Sequence, residues 1–282
     1  MNNDLLSKIT PNPQMNKLIN PLLVDLKLPG KTCTLPTKSL KYTVGKEITA
    51  DAVNGEVYVQ PLSGVSELKL KSADMLFSGK AFDEVIRECC PSILSPLDLY
   101  AKDVDMIMCY IRLVTYGQFF NIEHAHNCAN AKQHTYEIDL ELLLTRTKYL
   151  DASSALEHFT STLDNGQTIT LEPLRMNSMI DLLQMAATTE KDQKQLNYGE
   201  LEKLMLDNLC NSIDNVANIS DKQMIREWLR MIPKTYTKTL TKAIEHMNDI
   251  FGIDFNDKLQ CKDCGEVYDV EIPLNPIVFF SE

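Results

Sequence analysis

The amino-acid sequence predicts an α+β protein, mostly helical, with two similar lobes that each contain a small antiparallel strand unit, helices and a terminal β-ribbon. Three observations predict this class. Apolar residues recur at helical spacing through much of the 282-residue chain. Asn-Gly pairs at residues 54–55 and 165–166 precede alternating apolar and polar residues, as in a β-hairpin. A second alternating segment closes each half, so the order of elements repeats.

Residues 1–32 are polar and contain four prolines, which predicts an N-terminal arm. The first lobe is predicted over residues 33–150. Its strand unit surrounds Asn54 and Gly55, helices follow, and Gly117 ends the last of them. The first ribbon then runs through a tight turn and resumes at "TYEIDL".

The second lobe is predicted over residues 151–282 and follows the same plan. Ser220 and Gln223 have the spacing of a capping box at the start of a helix, and Gly252 ends the last helix. The second ribbon contains "CKDCGEVYDV", residues 261–270, and an apolar tail follows it.

The composition restricts the class of partner. With 28 basic and 39 acidic residues, the formal net charge is −11, which disfavours nucleic acid and anionic membranes and favours basic protein surfaces. The first residues do not resemble a signal peptide, and no apolar run reaches the roughly 18 residues of a membrane span. We therefore expect a cytoplasmic location in the producing cell, where the eight cysteines are thiols or metal ligands.

The pair Cys261 and Cys264 has the spacing of a zinc knuckle, which supplies two of the four ligands of tetrahedral zinc. Because the order of elements repeats, we expect the other two zinc ligands at the tip of the first ribbon. Cys128 and His126 lie at that tip, with His124 as the alternative to His126. The predicted cofactor is a structural zinc ion that staples the two ribbons; the alternative is a hairpin that folds without metal.

No catalytic residues are predicted. The sequence lacks G-x-S-x-G, H-E-x-x-H and glycine-rich phosphate-binding motifs. Asp98, Asp103 and Asp105 point in different directions on a helix, so we interpret them as part of a solvated face. The remaining helical cysteines are interpreted as small buried apolar residues: Cys89, Cys90, Cys109 and Cys210.

Two apolar features are candidate partner-binding sites. Trp228, the only tryptophan, lies on a helical stripe that is either core or a partner-facing patch. The apolar tail contains four consecutive apolar residues, Ile277, Val278, Phe279 and Phe280. This tail either docks on the body of the protein or anchors a partner.

Several segments, in this order, resemble the baseplate hub proteins of T-even-like contractile-tailed bacteriophages. They are "LPTKSLKY" (35–42), "VYVQPLSGVSELKL" (57–70), "YIRLVTYG" (110–117) and "YEIDL" (136–140). The terminal "CKDCGEVYDVEIPLNPIVFF" is similar to the cysteine knuckle and diphenylalanine ending of related hub-assembly proteins. The first ribbon departs from the family because it lacks a second Cys-x-x-Cys.

The resemblance implies a non-enzymatic bacteriophage tail protein, either a baseplate hub subunit or a hub assembly factor. Its partners would be other tail and baseplate hub proteins, and its location the host cytoplasm during assembly or the baseplate of the virion tail. Two alternatives remain open. A zinc-ribbon nucleic-acid-binding regulator would need basic residues around the knuckle. A metal-dependent hydrolase would need His124, His126 and His134 around an open coordination position.

Overall fold

The computed structural model describes residues 29–128, 132–151, 159–191, 198–274 and 279–280. Within these ranges, nine α-helices and nine strands confirm the α+β class. The strands form small antiparallel sheets of two or three strands. No helix in these ranges is both long enough and apolar enough to cross a bilayer.

The first half begins with a two-stranded sheet of β1 (Lys31–Thr34) and β2 (Glu56–Val59), so strand pairing starts inside the predicted arm. Residues 1–28 of that arm lie outside the described ranges. Four helices follow: α1 (Gly64–Leu70), α2 (Ala73–Phe77), α3 (Lys80–Cys89) and α4 (Ala101–Tyr116). As predicted, α4 stops at Gly117, whose φ of +91° is costly for residues with a side chain.

The first ribbon pairs β3 (Phe119–His124) with β4 (His134–Asp139) in antiparallel register, with His124 opposite His134 at its far end. A short helix, α5 (Leu140–Leu144), follows. Alternate residues of the ribbon are buried, because one face packs on the core and the other faces solvent.

The second half begins with a three-stranded sheet in the order β5 (Thr160–Thr162), β6 (Thr168–Leu171), β7 (Ile213–Val216). Two helices connect β6 to β7, and two more follow β7: α6 (Met176–Lys191), α7 (Tyr198–Asn211), α8 (Lys222–Met231) and α9 (Lys234–Asp249). The second ribbon pairs β8 (Asn256–Gln260) with β9 (Val267–Glu271).

The predicted capping box at the start of α8 is wrong. Asp221, not Ser220, is the N-cap residue, and its side chain accepts a hydrogen bond of 2.9 Å from the amide of Met224. An aspartate and a serine cap a helix about equally well, so adjacent candidates cannot be ranked from sequence.

Buried apolar side chains of the described residues form two cores. The second core consists of side chains from the part of the sequence that runs from Leu150 to Phe251. It packs the β5–β7 sheet against α7, α8 and α9. The first core consists of side chains from the first half of the chain, and it also receives Met176 and Ile180 of α6. Further side chains come from the segment around the second ribbon and from the tail: Ile253, Leu259, Val270, Ile272, Phe279 and Phe280. The second ribbon therefore packs beside the first ribbon. The division into lobes at residue 150 stays a prediction.

The start of the second ribbon is fixed by contacts between the two halves. Lys148 and Gly252 exchange two backbone hydrogen bonds of 2.9 Å. The Lys102 ammonium donates to the carbonyl oxygens of Asn248 and Phe251, the latter at 3.0 Å. Gly252 has a φ of +104°, and a Cβ there would lie 2.6 Å from Lys102 Cδ. These contacts direct the ribbon back across the first core.

Asp103 corrects the interpretation of the acidic residues on α4. It is fully buried, not solvated. Its carboxylate accepts hydrogen bonds from the amide (3.0 Å) and hydroxyl (2.5 Å) of Thr37 and from the hydroxyl of Tyr42 (2.6 Å). Burial raises the pKa of Asp103 to about 6. The donors come from a segment more than 60 residues away in sequence, which helical spacing alone could not reveal.

Candidate metal centre

The knuckle is a tight turn that joins β8 to β9. The amide of Cys261 donates to the carbonyl oxygen of Glu266 at 2.8 Å, and the amide of Gly265 donates back to the carbonyl oxygen of Cys261 at 2.9 Å. Gly265 has a φ of +78°, in the left-handed region that glycine adopts without strain. The turn therefore closes on backbone hydrogen bonds and leaves the sulfurs of Cys261 and Cys264 free to bind a ligand.

His126 and Cys128 lie just beyond the end of β3, at the tip of the first ribbon. The amide of Cys128 donates to the carbonyl oxygen of His126 at 2.9 Å, which folds this segment into a tight turn. Residues 129–131 lie outside the described ranges.

The two tips meet. The ligand atoms of His126, Cys128, Cys261 and Cys264 all lie within 4.8 Å of one another. His126 Nδ1 and Cys264 Sγ, which are 138 positions apart in sequence, are 3.5 Å apart. Tetrahedral zinc, with bonds near 2.3 Å to sulfur and 2.0–2.1 Å to nitrogen, separates two such ligands by about 3.5 Å. Three thiols and one imidazole are also a donor set of structural zinc sites, so these residues fit zinc.

The structure brings His126, rather than His124, into this cluster. His124 Nδ1 lies 3.0 Å from the hydroxyl of Tyr268. The same tyrosine ring stacks on His126, with 4.3 Å between ring centroids and 22° between planes. Tyr268 therefore contacts His124 through its hydroxyl and His126 through the face of its ring. No sequence motif identifies Tyr268 as part of the site.

Asp263, inside the knuckle, ties the knuckle to β4. Its Oδ2 accepts a hydrogen bond of 3.1 Å from the amide of Lys132 and lies 2.8 Å from His134 Nε2. The contact with His134 is the main cause that lowers the pKa of Asp263 below its usual value. The Lys262 ammonium donates to the carbonyl oxygen of Thr135 at 2.7 Å. The ribbons are thus held together by protein contacts around the cluster.

The local backbone favours the thiolate form of Cys261. The amide of Cys264, followed by that of Asp263, donates toward its sulfur and lowers the pKa of this thiol to about 6. A thiolate is the form that binds metal. By contrast, burial raises the pKa of Cys89 to about 12. The interpretation of the helical cysteines as buried residues is confirmed for all four: Cys89, Cys90, Cys109 and Cys210.

The candidate partner-binding residues lie apart from the cluster. Trp228 is half-buried on α8 and packs against the second core. Phe279 and Phe280 are buried in the first core, where Phe279 meets Phe120 edge to face at 5.2 Å. Ile277 lies outside the described residues. In this conformation the two phenylalanines contact their own chain, which corresponds to the docked alternative for the tail.

Comparison with known proteins gives one family match. The model of the family described as "T4 bacteriophage base plate protein" matches residues 45–280. No curated protein and no solved structure matches the chain. The matched range includes most of the first half, both ribbons, the four clustered side chains and the two phenylalanines of the tail. Because this range is far more than half of the sequence, the chain belongs to the family of T4 bacteriophage base plate proteins.

Proposed function

We propose that this base plate protein is a subunit of the baseplate hub, or a factor that assembles the hub, and that it acts by binding other tail proteins. The observation that carries the proposal is the family match over residues 45–280, which supports a structural role in the phage tail. The likeness of "LPTKSLKY" and "CKDCGEVYDV" to hub and hub-assembly proteins supports the hub in particular. Membership of a structural family also supports a role without catalysis.

The second part of the proposal is a zinc staple. Two ligands, His126 and Cys128, belong to the tip of the first ribbon, and two, Cys261 and Cys264, belong to the second. When bound, zinc supplies cross-linking strength rather than reaction chemistry, because four protein ligands leave no open position for water. The ribbons pack on one core, so a staple at their tips holds the free ends of two already adjacent elements.

The alternatives to a baseplate role have less support. The hydrolase would need three histidines around one position, but His124 contacts Tyr268 and His134 contacts Asp263. The nucleic-acid regulator would need free basic groups at the knuckle, but the ammonium of Lys262 donates to a backbone carbonyl of β4.

Quantitative mass spectrometry of purified phage particles, beside tail-assembly intermediates from the same lysate, tests the role. We expect the protein in hub-containing intermediates, at a small fixed ratio to other hub proteins. Retention of that ratio in mature tails identifies a hub subunit, whereas loss before maturation identifies an assembly factor. Absence from both fractions would contradict the proposal.

Elemental analysis of the purified protein tests the staple. We expect about one zinc per chain. The Cys261→Ser/Cys264→Ser variant should lose the metal because it removes both thiolates of the knuckle. His126→Ala should also bind zinc much more weakly. His124→Ala is the matched control, since this residue lies outside the ligand cluster, and it should retain one zinc per chain. Equal zinc content in all four proteins would contradict the assignment, as would a disulfide between Cys261 and Cys264 in the purified protein.

A further inference from the structure

The acidic chain contains a strongly basic segment in its second half. Residues 222–242 contain six lysines or arginines and a single glutamate, although the formal net charge of the whole chain is −11. This segment forms α8 and the first half of α9. Its net charge is opposite to that of the whole chain, so the segment presents a basic face to a partner.

Three lysines of α9 form a row on its solvent side. Lys234, Lys238 and Lys242 are four residues apart and therefore follow one side of the helix. Leu240 and Met247, which are buried in the second core, lie on the other side. All three lysines are exposed, and none forms an ion pair or hydrogen bond within the described part of the chain.

The other cations of the segment have internal partners. Arg226 pairs with Asp207 at 2.8 Å, Arg230 pairs with Glu202 at 3.1 Å, and the Lys222 ammonium donates to backbone carbonyl oxygens of Cys210 (3.3 Å) and Ile213. These three residues fix α8 against neighbouring elements. The three lysines of the α9 row make no such contacts with neighbouring elements in the described part of the chain.

Helix stability does not account for the position of the first lysine either. Lys234 is the first residue of α9, where the helix dipole disfavours positive charge, and no acidic residue occupies the first turn. A cation at this end adds to the positive potential of the helix start. The positive electrostatic potential is therefore strongest at the junction between α8 and α9.

An exposed apolar side chain lies beside the lysine row. Met231, the last residue of α8, is 84% exposed. Met224, seven positions earlier on the same side of α8, is 53% exposed, and the half-buried Trp228 lies between them. Methionine adapts its shape to a partner and is enriched at protein interfaces. We name Met231, Lys234, Lys238 and Lys242 the basic corner.

We infer that the basic corner is the docking surface for an acidic face of another tail protein. This inference rests on the proposed function and adds the surface and the chemistry of the partner. Opposite charges steer the encounter, and Met231 inserts into an apolar recess of the partner. A protein fits better than nucleic acid, because phosphates extending beyond the corner would meet the acidic remainder of this chain.

Photocrosslinking within the phage tests the inference. The chain is produced during infection with the photoreactive p-benzoylphenylalanine in place of Met231, and tail assemblies are isolated and irradiated. We expect one principal adduct, with a segment of another tail protein that carries net negative charge. As the matched position, the same amino acid in place of Val65 on α1, which is 68% exposed, should not give this adduct.

Charge-reversal variants provide a second test of the inference. Lys234→Glu/Lys238→Glu should lower the adduct yield roughly tenfold or more, because like charges across an interface repel. This variant should fold, since it places a glutamate in the first turn of α9, where the helix dipole favours it. Lys80→Glu/Lys203→Glu makes the same change in net charge at exposed lysines outside the corner and should leave the yield unchanged.

The outcomes separate this inference from the proposed function. An adduct with nucleic acid or with a second copy of this chain would overturn the inference, as would a yield that is insensitive to Lys234→Glu/Lys238→Glu. Assemblies that contain the chain but give no adduct would also overturn it, and would leave the proposed function intact. A chain that is absent from every tail assembly would overturn the proposed function and, with it, the identity of the partner.

Discussion

Replacement of Phe280 by alanine is expected to lower the free energy of unfolding by about 3–5 kcal/mol, the usual cost of removing a fully buried phenylalanine. Phe280 has no solvent exposure, and its ring meets that of Phe279 at 5.2 Å in an edge-to-face arrangement. The hydroxyl of Tyr116 donates to its carbonyl oxygen at 3.3 Å. The docked tail therefore completes the first core, and its loss leaves a cavity beside α4. Urea denaturation followed by circular dichroism measures the change.

Phe119→Ala is the matched control, because this phenylalanine of β3 is 52% exposed and should cost less than about 1 kcal/mol. Equal stability of Phe280→Ala and the wild-type protein would mean that the tail is undocked in solution. That result would favour the other interpretation of the tail, an anchor for a partner. A large loss of stability assigns the diphenylalanine to the core of its own chain.

The class of fold follows from local patterns that the structure retains. The turn at Asn165-Gly166, alternation in the ribbons and the helix end at Gly117 depend on residues close together in sequence, so they could be predicted. The predicted hairpin at Asn54-Gly55 is wrong, because β2 pairs with β1, which ends at Thr34. The packing of the second ribbon on the first core depends on contacts such as that of Lys148 with Gly252, more than 100 residues apart. Neither residue has a type or spacing that indicates this contact.

The candidate site was partly predictable for the same reason. The spacing of Cys261 and Cys264 is local, and the repeated order of elements indicated the first ribbon as the source of further ligands. His124 and His126 are two residues apart, so strand alternation puts both on one face and cannot choose between them. The choice depends on Tyr268, which contacts both imidazoles across the two ribbons.

The tail and the basic corner illustrate a limit of apolar patterns. A run of apolar residues predicts burial, but it does not say whether the surface that buries it belongs to the same chain. Phe279 and Phe280 are buried in the core of their own chain, whereas Met231, at the end of α8, remains 84% exposed. Only the packing of the whole chain separates these outcomes.

Asp103→Ala is expected to lower the free energy of unfolding by about 2–4 kcal/mol, because it leaves buried donors without an acceptor. The amide and hydroxyl of Thr37 and the hydroxyl of Tyr42 all donate to this carboxylate. Tyr42 in turn accepts a hydrogen bond of 2.8 Å from the amide of Tyr100, at the start of α4. The carboxylate thus joins the connection between β1 and β2 to α4. Asp181→Ala, at an exposed position of α6, is the control and should change stability by less than about 0.5 kcal/mol.

The cost of Asp103→Ala should also depend on pH in a specific direction. Burial raises the pKa of Asp103 from 3.8 to about 6, so the folded protein binds this proton more tightly than the unfolded chain does. The stabilisation from this proton is complete below about pH 4 and is lost as the pH rises through about 6. Between about pH 5 and about pH 8, the wild-type protein should therefore lose about 1.4 kcal/mol more stability than the variant. Urea titrations of both proteins at the two pH values measure this difference. An equal or opposite dependence would mean that Asp103 is ionised in the folded protein throughout this range, and that its three hydrogen bonds outweigh the cost of burying its charge.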